Sequence, residues 1–139
     1  MIKGNQYLKI VGMFYSFLEL EFAFIKVNET INGNAFYDVE YRRDEKVVSI
    51  SYENIEEHLE VIVFKLLNDK MPDYEDEFKT LHLKHLNRLV LPRVSKDELH
   101  SNDQYFSKFN VKDELERNLL QRAKELRLCL RYFDQLSIK

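Results

Sequence analysis

The groups of this chain that could do chemistry are four histidines, two runs of carboxylates, a pair of strand serines and one cysteine. Their spacing restricts what that chemistry can be. His82 and His85 stand three residues apart, so on a helix they share a face, with Asp76 and Glu77 just upstream. A metal needs three or four convergent ligands, and His58 and His100 are distant in sequence, so no metal or other cofactor is implied. His85 falls on the apolar side of its helical pattern, where a half-buried, hydrogen-bonded imidazole is the expected state. The carboxylates cluster at Glu53, Glu56, Glu57 and Glu60, and again at Asp69, Asp73, Glu75, Asp76 and Glu77. General acid–base catalysis requires a desolvated carboxyl with a shifted pKa. These residues fall instead in turns and at an expected helix start, where they are solvated, cap the helix or face a basic protein. Ser49 and Ser51 have no histidine beside them in a triad arrangement. Cys129 sits inside a helical pattern and reads as a small buried hydrophobe. A nucleophile elbow, a phosphate loop, zinc-ligand spacing and a dinucleotide fingerprint are all absent.

The elements that would position these groups follow from hydrophobic period. Residues 5–18 repeat apolar side chains three and four apart, predicting one amphipathic helix. A first strand is expected over 22–29, with Ala23, Ile25 and Val27 on one side, then the tight-turn sequence Asn32-Gly33-Asn34. Residues 36–42 alternate Tyr37, Val39 and Tyr41 with Asp38, Glu40 and Arg42; residues 47–53 alternate Val48, Ile50 and Tyr52 with Ser49, Ser51 and Glu53. Period two with one apolar side means an antiparallel sheet buried on one face and wet on the other. The run 58–67 is nearly continuous, compatible with a helix or with a strand buried on both faces, and its β-branched residues favour a fourth strand. Asp73 is placed to cap a helix from Tyr74 to Pro92 whose face carries Phe78, Leu81, His85 and Leu89. Residues 94–109 are the least regular, with 100–103 expected as an exposed loop. A last helix begins after Asn110 and carries the stripe Leu115, Leu119, Ala123, Leu126, Leu130 and Phe133, widened by Cys129 and Leu136. Arg117, Arg122, Lys124, Arg127 and Arg131 interleave with acids as a salt-bridged solvent face. Leu120, Leu128 and Tyr132 lie off the stripe, which requires a second contact and leaves a homodimer open.

Length predicts a single domain over residues 1–139, and the ordinary apolar and charged fractions argue against disorder. One cysteine forms no internal disulfide, and the first residues carry no apolar signal core, so a cytosolic protein is expected. No apolar run is long enough to cross a bilayer. Charge is divided unevenly. Residues 1–78 hold 8 Lys/Arg against 16 Asp/Glu, and residues 79–139 hold 13 against 8. Either the halves attract each other or the first half presents an acidic surface. The acidic overall balance and the lack of a coherent positive stripe count against nucleic-acid binding.

The phrases "FYDVEYRRDEKVVSISYE" and "EVIVFKL", between an N-terminal helix and later helices, resemble several families of small uncharacterised bacterial α+β proteins. Some of those are inferred to be immunity proteins of polymorphic toxin systems. The resemblance implies protein binding and carries over no functional residue. The expected architecture is α+β: an N-terminal helix, a four-stranded antiparallel meander, then two or more helices on one sheet face. The expected function is a non-enzymatic protein-binding module, an immunity protein with a basic toxin or enzyme as partner. Asp38, Glu40, Glu53, Glu56, Glu57 and Glu60 are its binding residues. The alternative is a small-ligand-binding or minor enzymatic domain with a pocket between sheet and helices lined by Tyr37, Tyr41, Tyr52 and His85.

Overall fold

Aromatic side chains facing inward from two neighbouring strands set the geometry of the whole molecule. A computed structural model describes residues 1–133, so Leu136 of the last helical stripe lies outside the described residues. Helices α1 (Gly4–Phe14) and α2 (Phe17–Leu20) lead into strands β1 (Ile25–Asn32), β2 (Phe36–Arg43), β3 (Lys46–Glu53), β4 (His58–Lys65) and β5 (Thr80–His82). Helix α3 (Leu83–Val90), a 3-10 turn (Leu91–Arg93), α4 (Lys96–Phe106) and α5 (Glu114–Tyr132) follow. The sheet order is β1-β2-β3-β4-β5, every pair antiparallel. This is the expected α+β meander with one strand more.

Alternation in β2 and β3 decides which side is core. In the observed register Tyr37 lies opposite Tyr52, Val39 opposite Ile50 and Tyr41 opposite Val48, all buried. Across β3, Ile50 meets Val61 and Val48 meets Val63. Helices α1 and α5 cover this face. Tyr7 of α1 stacks against Tyr52 with ring centres 6.0 Å apart and donates its hydroxyl to the Ile50 carbonyl at 2.9 Å. Tyr15 donates to the Leu119 carbonyl of α5, also at 2.9 Å. These two hydroxyls keep a partner while their rings fill the core, which spares each the cost of a buried unpaired polar group.

Several elements differ from the sequence reading. The N-terminal helix divides at Tyr15 and Ser16, where the backbone tightens into three-residue hydrogen bonds such as Leu18 N–H to Tyr15 carbonyl. Strand β1 begins later than expected because Ala23 turns the chain in the left-handed region (φ 59°). Ile25 and Val27 are exposed, on the edge strand β1. Phe78, Leu81 and His82 do not begin a helix. Thr80–His82 pair with β4, and the helix starts only at Leu83. Asp73 therefore caps nothing: its carbonyl accepts from the Thr80 hydroxyl at 2.6 Å. The segment expected as irregular contains α4, opened by a capping box between Ser95 and Glu98. Helix α5 is capped by Asp113, whose carboxylate accepts from Glu116 N–H at 2.9 Å, not by Asn110.

The off-stripe residues of α5 find partners inside the chain. Tyr132 donates to both Glu98 carboxylate oxygens of α4 at 2.7 and 2.6 Å, Leu128 is buried, and Leu120 packs against the core. Arg127 is not on a solvent face. It is buried, grips Glu21 with two hydrogen bonds at 2.7 and 3.1 Å, donates to Asn102 Oδ1 at 2.8 Å and lies 4.0 Å over the Tyr105 ring. The end of α2, α4 and α5 are joined through this one guanidinium.

Candidate partner-binding face

With the helices on one side, the polar side chains of β2, β3 and β4 are left on the other. The register builds them into rows across the sheet. One row runs Thr30, Asp38, Ser51, Glu60; the next runs Asn28, Glu40, Ser49, Ile62, His82. The single-residue alternation that turns Tyr37, Val39 and Tyr41 inward necessarily turns Asp38 and Glu40 outward.

Asp38 is the most perturbed carboxyl of the face. Ser49 Oγ donates to it at 2.7 Å. Partial burial pushes its pKa up to about 6, against the lowering effect of the Ser49 hydrogen bond and with a further raise from neighbouring Glu40. Glu60 is held differently. The Tyr74 hydroxyl donates to its two oxygens at 3.0 and 2.9 Å, His82 Nδ1 lies 3.4 Å away and His58 Nε2 3.7 Å away. The Tyr74 and His82 rings meet edge to face at 5.2 Å. Glu53 is occupied locally, accepting Glu56 N–H at 2.8 and 3.1 Å, so it closes the β3–β4 turn. Glu56 and Glu57 stand exposed on that turn, Glu57 in the left-handed region (φ 54°). The structure therefore brings Asp38, Glu40 and Glu60 onto the face opposite the helices, each half-buried with Ser49 and Ile62 buried between them, sets Glu53 at its end and places Glu56 and Glu57 beyond it.

The four residues expected to line a pocket do not converge on one. Tyr37 is buried and donates to the Ile2 carbonyl at 2.9 Å; Tyr41 is buried with its hydroxyl unpartnered; Tyr52 stacks on Tyr7. His85 is exposed on α3, because the helix starts later than its periodicity implied and Leu83 and Leu86 take the inward positions. A cavity of about 550 Å³ does lie between β4, α3 and α5, lined among others by His58, Glu60, His82, Asn87, Arg122 and Glu125. Its charges are used against each other: Arg122 pairs with Glu125 at 3.0 Å, and Asn87 donates to the same carboxylate at 2.9 Å. Cys129 is buried, with its thiol pushed up to about 12 by burial and its Sγ 3.4 Å from Asn87 Oδ1, so it is no nucleophile at neutral pH.

Sequence reasoning missed the Glu60–Tyr74–His82 cluster because it depends on β5. The available signal was the parity of Thr80 and His82 around apolar Leu81, which continues the sheet's in–out alternation. Among the described residues no group of three or more His, Cys, Asp or Glu is arranged to hold a metal ion, and no helix is long and apolar enough to cross a membrane. No family model, curated protein or solved structure matches this chain at a significant level.

Proposed function

We propose that this chain is a non-enzymatic protein-binding module whose open sheet face receives a basic partner, and that it acts as an immunity protein neutralising a cognate toxin. The observation that carries the binding reading is the placement of Asp38, Glu40 and Glu60 together on the one sheet face that no helix covers. Keeping Asp38 there disfavours its charged form, since burial already opposes ionisation. A carboxylate retained where it is costly fits a site that meets a cation. The toxin-neutralising part rests on the resemblance of the strand phrases to immunity families.

Acidic faces of this kind act chiefly on encounter rate, with apolar or aromatic anchors supplying the affinity. The test is capture of the tagged protein's partner from its native cell extract, followed by association kinetics with that partner. Reversing Glu56, Glu57 and Glu60 to Lys is expected to slow association about tenfold at low salt and to flatten its salt dependence. An unchanged on-rate removes this surface from the interface. A captured partner that is not a toxic enzyme overturns the immunity assignment while leaving the binding module standing.

A further inference from the structure

The connection between β4 and β5, residues 66–79, combines two properties that rarely occur together. It is held in a defined shape. Lys65 N–H reaches the Lys79 carbonyl and Leu66 N–H the Glu45 carbonyl, both at 2.7 Å, and Leu67 bridges Lys70. The Asp76 carboxylate accepts Phe78 N–H at 3.0 Å and Lys79 N–H at 3.1 Å. Yet apart from Leu66, which is buried, its large apolar side chains are exposed: Leu67 is 60%, Met71 48%, Tyr74 58% and Phe78 58% exposed. Interspersed with them are the exposed carboxylates Asp73, Glu75 and Glu77. Ordered exposure of several large apolar groups marks an interaction site rather than a solvated loop. Tyr74 fastens the loop to the sheet through Glu60 and His82, so the loop adjoins the acidic face.

Building on the protein-binding reading above, we infer that this loop is the anchor of the interface and that it seats a cationic amphipathic segment of the partner protein. Apolar side chains of that segment rest on Leu67, Met71, Tyr74 and Phe78, while its Lys or Arg residues meet Asp73, Glu75, Glu77 and Glu60. Charge selects the occupant. A second copy of this surface would set carboxylate against carboxylate, and an anionic membrane would repel the same groups.

The test uses the full chain, labelled with ¹⁵N, and three synthetic 18-residue probes: an amphipathic Leu/Lys peptide, its Leu/Glu counterpart and a Ser/Lys peptide of equal charge. The Leu/Lys probe is expected to shift the amides of residues 66–79 together with that of Glu60. The Ser/Lys probe is expected to bind about tenfold more weakly and the Leu/Glu probe not at all. Substituting Met71→Ser and Phe78→Ser should weaken Leu/Lys binding about tenfold with thermal unfolding unchanged, because both side chains are exposed. Equal binding of Ser/Lys and Leu/Lys probes, or shifts confined to Asp38 and Glu40, overturns the anchor role while the acidic-face reading survives. No shift in either region with any probe overturns both.

Discussion

Asp38 is the residue whose titration can be read directly in stability. Its folded pKa, about 6, lies above the ordinary aspartate value, so between the two the native state binds more protons than the unfolded chain. Stability must then fall as pH rises through that window, the reverse of a salt-bridged aspartate. Asp38→Asn is expected to raise unfolding free energy at pH 7 by about 1–3 kcal/mol and to make no difference below about pH 3, with chemical denaturation at the two pH values as the measurement. Arg127 gives the opposite case. It is a buried cation with a carboxylate and an amide on its donors, and Arg127→Ala leaves Glu21 facing the vacancy. A loss of about 3 kcal/mol is expected in the same assay. Neither environment was legible from the chain. Arg127 sits among five cations on a helix and looks like its neighbours, since Glu21 and Asn102 reach it only through the tertiary fold. Asp38, by contrast, stands on the polar strand face that its alternation predicts, and only its desolvation is invisible in the sequence.

At the level of elements, period and punctuation carried different amounts of information. The strict alternation of β2 and β3 gave their bounds to within a residue, because both strands lie inside the sheet and have one dry face. Edge strand β1 obeys no such constraint. Its side chains are largely exposed, it carries a bulge between Lys26 and Asn28, and the charged residues Lys26 and Glu29 stand in it, all of which discourage pairing with another sheet. Strand β5 is too short for period two to be distinguished from a helical pattern. Helix α4 was signalled by Ser95 followed by Glu98, a capping box that a reading based on apolar periodicity passes over because the helix is weakly amphipathic. Both capping bonds are 3.1 Å, and Glu98 also receives Tyr132, so its carboxyl is held below the usual range by hydrogen bonds. Ser95→Ala should therefore cost about 1 kcal/mol of unfolding free energy, with the change in hydrogen exchange greatest in the first turn of α4.

Across the whole molecule, the charge division of the sequence resolves into a division of surfaces. Lys26–Glu29 and Arg42–Asp69 pair within the acidic half, and Arg117–Glu114, Arg122–Glu125 and Lys124–Asp103 within the basic half. Glu21–Arg127 crosses between them inside the fold rather than over the acidic face. The halves are joined by the pairing of β5 with β4 and by packing of α3 and α5 against β4 and α1, so Asp38 and Glu40 are left on the opposite side of the sheet from the basic helices. The backing of that face has a further effect. Asp38, Glu40 and Glu60 stand on a hydrogen-bonded lattice stiffened from behind by stacked tyrosines. Residues two apart along a strand lie about 7 Å from each other and side chains two strands apart about 10 Å, so the three carboxylates form a fixed scale. A partner with the right total charge but cations at other intervals would meet that scale out of step, and selectivity would come from spacing rather than from charge.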